Sequence, residues 1–198
     1  MPFPSPPWHL QGHMWLSLFP VRSSGTSDRP AGLYGVAFVD YQDGGVLRYR
    51  ELLVARLVRD GSTPRVHVTD MWVDSVTSRD GGRSLWAMPK DLADFHIRDR
   101  HVGPTMKTSC DAIITGAPVA TARITGGRMP TLRTPFTFTT AQQREDGETV
   151  VAKVSGSAKS LPCLAKWGFG ADGPLAWLAG RQPVVSFRMS DFRLSFGA

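Results

Sequence analysis

Lys90 stands in "GGRSLWAMPKDLADF", Gly81 to Phe95, among Trp86, Met88, Leu92 and Ala93. It is the only lysine in the first half of a chain that prefers arginine, 18 against five lysines. Lysine is among the residues least willing to leave water unpaired. A desolvated lysine turns neutral, and a neutral amine attacks ketone carbonyls. A lysine whose stem lies along apolar surface with its head in water does no such chemistry. This stretch taken alone favours the second reading.

A second set lies upstream in "RYREL", where Tyr49 and Glu51 share one face because strand side chains alternate. Glu51, Arg83 and Lys90 together form a set able to support amine chemistry. Taken singly, each reads as a salt-bridge partner or a solvated charge. Other motifs carry less. "GFGADG" (Gly168–Gly173) spells GxGxxG but opens no long helix and reads as a turn. His9, His13, His67, His96 and His101 lack metal-binding spacings. Cys110 and Cys163 are too far apart for a redox pair and read as two buried thiols. Ser155, Ser157 and Ser160 around Lys159 are weak evidence of chemistry.

The elements that must position Lys90 and Glu51 are mostly strands. His13–Val21, Leu33–Tyr41, Val46–Val58, Arg65–Asp74, Thr134–Thr140, Glu148–Ala158 and Pro183–Phe196 are rich in β-branched and aromatic residues and bounded by turn residues. Broken alternation in the last predicts a bulge or a strand buried on both faces. Asp43–Gly44 signals a hairpin turn, and Ser23–Pro30 reads as a polar loop. Helical signals are short: a turn capped by Asp74 that stops at Gly81–Gly82, then "LPCLAKWGF" and "GPLAWLAG". Many strands without βαβ alternation predict a mostly β, single-domain antiparallel barrel-like fold over residues 1–198, with a few short helices.

The chain has 198 residues, 41% hydrophobic, with 23 basic and 17 acidic side chains giving +6. That charge is dispersed, with no basic block, so nucleic acid is not expected as a partner. No apolar run approaches a membrane span, and the proline-rich start lacks the pattern of a signal peptide. A soluble, cytoplasmic protein is expected.

Taken together, Tyr49-x-Glu51, Val73-Asp74 and Gly82-Arg83-x-Leu85-x-x-x-Pro89-Lys90-x-Leu92 resemble the acetoacetate decarboxylase family. The ending "GPLAWL…PVVSFRMSDFRLSF" is similar to that family's last segment. The resemblance implies that Lys90 is a Schiff-base nucleophile and Glu51 an active-site carboxylate. It also implies a barrel-like β domain in closed homo-oligomers, with neither metal nor organic cofactor. Catalytic roles therefore fall on Lys90 and Glu51. Substrate-binding roles are expected of His13, Arg83, Trp72, Trp86 and Met88, with Arg83 bracing the lysine loop. The two tryptophans and the methionine would supply dry walls that lower the lysine pKa.

The chain departs from the family in several places. Decarboxylases carry a second lysine directly after the nucleophile, whose charge helps depress its pKa; here the residue is Asp91. A second pocket glutamate would fall near Val36, the glutamate usual after Gly-Arg is Ser84, and His13 aligns with a substrate-facing arginine. The expected function is a Schiff-base lyase for a small keto acid, by decarboxylation or aldolase, dehydratase or cyclisation chemistry. The alternative is a non-catalytic small-molecule-binding protein on the same fold.

Overall fold

The computed structural model describes residues 3–22, 29–127 and 129–197. Of the loop expected at Ser23–Pro30, residues 23–28 lie outside them. The elements run β1 (Trp8–Val21), β2 (Gly32–Tyr41), β3 (Tyr49–Asp60), β4 (Thr63–Val73), α1 (Val76–Trp86) and β5 (Lys90–Leu92). Then come β6 (Asp94–Val102), β7 (Thr105–Ile114), β8 (Ala117–Gly127), β9 (Arg133–Gln143), β10 (Thr149–Phe169), a 3-10 turn at Ala176–Leu178 and β11 (Val185–Phe196). The fold is mostly β, as expected.

Seven strands make a barrel-like ring in the order β11, β1, β2, β3, β4, β9, β10 and back to β11. The ring is possible because β10 is 21 residues long. Its first part pairs with β9 and its middle with β11, while its end pairs with β8. The ring is antiparallel except where β4 meets β9, a parallel contact with one backbone pairing, Val66 with Thr140. There the buried side chain of Gln142 extends the ladder: its Nε2 donates to Val68 O and its Oε1 accepts from Val68 N, both at 2.9 Å.

Strand alternation sorts the ring into an inner and an outer core. On β2, Tyr34, Val36 and Phe38 join the outer cluster, while Ala37, Val39 and Tyr41 join the inner one. Burial on both faces explains the near-continuous apolar run of that strand. The outer cluster is covered by β6, β7 and β8, with Phe95, Cys110, Ala122 and Ile124 meeting Trp15, Phe38 and Leu52. The inner cluster surrounds the cavities described below.

Several local expectations are corrected. The N-cap of α1 is Ser75, not Asp74, and the helix runs through Gly81–Gly82 to Trp86 instead of stopping there. Leu161–Phe169 is strand, the end of β10; Pro162 fits because it lies between the last β9 pairing at Lys159 and the first β8 pairing at Cys163. "GPLAWLAG" yields only the 3-10 turn. Both cysteines are free, Cys110 buried and Cys163 half-buried. The bulge expected in the last strand is present: β11 slips register against both β1 and β10 beside Asp191, which adopts φ 50°.

Candidate active site

Lys90 is the first residue of β5, a three-residue strand parallel to β4 in which Lys90 pairs with Met71. Parallel neighbours need a crossover, and α1 supplies it. The helix ends on Ala87 in the left-handed conformation, with Ala87 N donating to Arg83 O and Met88 N to Gly82 O. Pro89 follows, and Arg83 Nε donates to the Lys90 carbonyl at 2.5 Å. This hook turns the Lys90 side chain back under the helix.

The lysine stem crosses α1 at Gly82, where a Cβ would stand 2.7 Å from Lys90 Cδ and 2.8 Å from Cε. At Gly81 a Cβ would meet the Trp8 ring at 2.6 Å. Both glycines are therefore required by close approach, which is why they occupy a helix interior despite costing about 1 kcal/mol each there.

Of the five lysines, only Lys90 is buried, at 5% exposure; Glu51 is at 2%. Lys90 Nζ lies 3.1 Å from Glu51 Oε2 and donates to Ser78 Oγ at 2.9 Å and to Tyr49 OH at 3.4 Å. Tyr41 OH donates to Glu51 Oε1 at 3.3 Å. The ammonium also lies 4.9 Å from the Tyr49 ring centroid and 6.0 Å from that of Trp8. The small cavity at this point, about 40 Å³, is lined by Trp8, Met71, Trp86, Met88 and Phe196 around these polar groups. Lys90 is the only cation in its lining and Glu51 the only carboxylate.

Burial works against the Lys90 charge, but the Tyr49 and Glu51 oxygens favour it, and its pKa lies above the ordinary value. The expectation of a depressed lysine is thus reversed. Burial pushes the Tyr49 hydroxyl up to about 12. Burial, then the Glu51 charge, holds Tyr41 well above its usual range. Both phenols are proton donors or acceptors of neutral form at physiological pH.

The residues singled out in the sequence separate into two groups. Lys90, Glu51, Trp86 and Met88 converge on the cavity. Arg83 lies outside it, ion-paired with Asp91 at 3.4 Å, so Asp91 points away from the amine. Trp72 belongs to the outer cluster, one residue out of phase with cavity-facing Met71. His13 is also outward, its Nδ1 accepting from Asp191 N at 3.1 Å. Val36 likewise faces the outer core, so its neighbours Gly35 and Ala37 are the ones turned inward.

Sequence reasoning missed Ser78, Trp8, Tyr41 and Met71. Ser78, Gly81 and Gly82 lie three and four residues apart, a helical face of small residues that signals close approach. Reading the glycines as a stop hid it.

The fold thus holds a buried lysine–carboxylate pair on the wall of a small cavity. The family model for acetoacetate decarboxylase (ADC) matches residues 27–155. The chain belongs to the acetoacetate decarboxylase family. A comparison with curated proteins returns no match. Among solved structures, the enduracididine biosynthesis enzyme MppR complexed with pyruvate superposes with a TM-score of 0.69 at 17% identity, covering 99% of this chain and 90% of that one. The acetoacetate decarboxylase of Legionella pneumophila gives 0.66 at 14%, covering 98% and 86%. An acetoacetate decarboxylase-like enzyme from Sphingomonas wittichii RW1 gives 0.62 at 14%, covering 97% and 91%. These likenesses establish the fold. No helix among the described residues is long and apolar enough to cross a membrane.

Proposed function

We propose that the protein is a Schiff-base-forming lyase for keto acids, with Lys90 as nucleophile and Glu51 as its proton partner. The observation that carries this reading is the burial of the Lys90–Glu51 pair at 3.1 Å in a pocket with no other charged side chain. Glu51 takes a proton from Lys90, and the freed amine attacks the substrate ketone carbon. The carbonyl oxygen leaves as water, giving a protonated imine. In a β-keto acid the bond to the carboxylate then breaks. Its electron pair moves into the imine, carbon dioxide departs and an enamine remains. Protonation at carbon and hydrolysis of the imine release the ketone and restore Lys90.

The same iminium acidifies the neighbouring carbon, which opens aldol-type steps. MppR has been captured with pyruvate and with the condensation product of pyruvate and imidazole 4-carboxaldehyde, which supports keeping that branch. The missing second lysine and the absence of a second carboxylate from the pocket lining argue against acetoacetate itself as the preferred substrate.

The raised Lys90 pKa favours one other reading, a non-catalytic binding protein in which the charged lysine anchors an anion. Incubation with α- and β-keto acids, borohydride reduction and peptide mass spectrometry separates the two. The lyase reading expects covalent mass on Lys90, absent in Lys90→Ala, with the adduct mass showing whether the carboxylate left first. Ligand binding without any adduct would replace it with the binding protein.

A further inference from the structure

Beside the lysine pocket lies a much larger cavity of about 440 Å³, within the range of small-molecule sites. Tyr41, Glu51, Met71, Met88 and Phe196 line both, so Glu51 stands at their junction. All seven ring strands contribute to its wall, which places it inside the ring. Along β3 the residues facing it are Glu51, Leu53, Ala55 and Leu57. Six residues of strand span on the order of 20 Å. Spread over that length, the volume is a channel rather than a bowl. It ends at a rim of exposed Leu33, Leu57 and Phe138.

Two features of the wall explain why it stays open. Gly35 pairs directly with Ala55, and Ala37 is the next inward residue on β2, so this side lacks the large side chains that normally fill a core. Met14, Met71, Met88 and Met189 supply adaptable walls suited to ligands of varied length. Polar groups are scarce. Beyond Glu51 and Tyr41 at the lysine end, the wall offers Thr140, whose hydroxyl already donates to Ala152 O at 3.3 Å, and Arg56 near the rim.

We infer that the substrate is a keto compound bearing a long, unbranched apolar tail, with its ketone at Lys90 and the tail running past Glu51 down the ring toward Leu57. The keto-acid head group rests on the reading above; the tail rests on the cavity.

Two titrations test this. In the first, wild-type protein receives acetoacetate, 3-oxohexanoate, 3-oxooctanoate and 3-oxododecanoate, and borohydride-trapped adduct is measured against concentration. In the second, Lys90→Ala is titrated calorimetrically with hexan-2-one, octan-2-one and dodecan-2-one, which reads the tail without imine chemistry. Affinity is expected to rise about fourfold per added methylene until the channel is full. Ala55→Phe, placing a ring halfway along, is expected to end that rise at a shorter chain in both series. Adduct formation with no dependence on chain length overturns the inference and leaves the lyase reading standing. Chain-length-dependent ketone binding without adducts does the reverse. Flat affinity in both titrations, or an undiminished rise in folded Ala55→Phe, overturns the inference.

Discussion

At Lys90 and Glu51, two charges that would each be costly to bury alone stand 3.1 Å apart with hydroxyl partners on both. Since the folded-state pKa of Lys90 lies above its unfolded value, the pair adds stability below the unfolded pKa of about 10.4 and loses it as pH rises through the folded value. Glu51→Gln removes the carboxylate and leaves burial as the dominant influence on the lysine. With burial then opposed only by the Tyr49 oxygen, its folded pKa falls, and the stability tied to the lysine charge falls with it. The variant is expected to lose about 3–5 kcal/mol near neutral pH. Part of that loss should return as pH rises toward roughly 9, because a neutral amine is cheaper to bury. Denaturant midpoints of the two proteins at roughly pH 6 and roughly pH 9 measure the gap. A gap independent of pH would show that the lysine charge is not what Glu51 stabilises. Imine formation should fall in the same variant although its amine is more readily neutral, because no carboxyl remains to give the carbonyl oxygen the proton with which it leaves as water.

The element that sets the lysine is α1 with its glycine face, and its behaviour separates helix propensity from site geometry. Gly82→Ala in an ordinary helix interior is stabilising by up to about 1 kcal/mol. Here the new methyl meets the Lys90 stem at 2.7 Å. The stem must shift, and a displacement near 1 Å at a reacting group costs on the order of a hundredfold in rate. Gly82→Ala is therefore expected to keep its helical circular dichroism while its borohydride-trapping rate falls tenfold or more; an unaltered rate would show that the stem position is not critical. Legibility follows the same physics. Tyr49 and Glu51 could be assigned to one face because alternation is strict, and β1 to β4 were readable from large apolar residues. The strands β6 to β8 were not: β6 buries only Phe95 in a run of charged residues, and most buried positions of β7 and β8 are filled by Met106, Thr108, Cys110, Ala120 and Ala122, small or weakly apolar side chains that leave little periodic signal. His13 was assigned to the pocket from the resemblance and Trp72 as a dry wall beside the lysine, yet strand parity turns both outward.

For the molecule as a whole, closure of the ring decides whether the inner core and its cavity exist at all. Six of the seven junctions are antiparallel ladders of several pairs, and their strength is distributed. The β4–β9 junction has its single Val66–Thr140 pairing, the Gln142 amide on Val68 and His67 Nδ1 within 2.9 Å of Ala141 O. Gln142→Ala strands the N–H and C=O of buried Val68 at once. With about 1–3 kcal/mol for each of the two unsatisfied groups, a loss of about 2–6 kcal/mol is expected. Gln142→Glu is a sharper probe: its carboxylate still accepts from Val68 N but faces Val68 O without a donor, so it should rescue little. Amide hydrogen exchange locates the damage. Val68 N–H should exchange much faster in both variants, whereas the amides of Leu52 and Trp72, paired across the intact β3–β4 ladder, should keep their protection. If Val68 stays protected in Gln142→Ala, backbone contacts alone hold the junction, and the side-chain clamp is not what closes the ring.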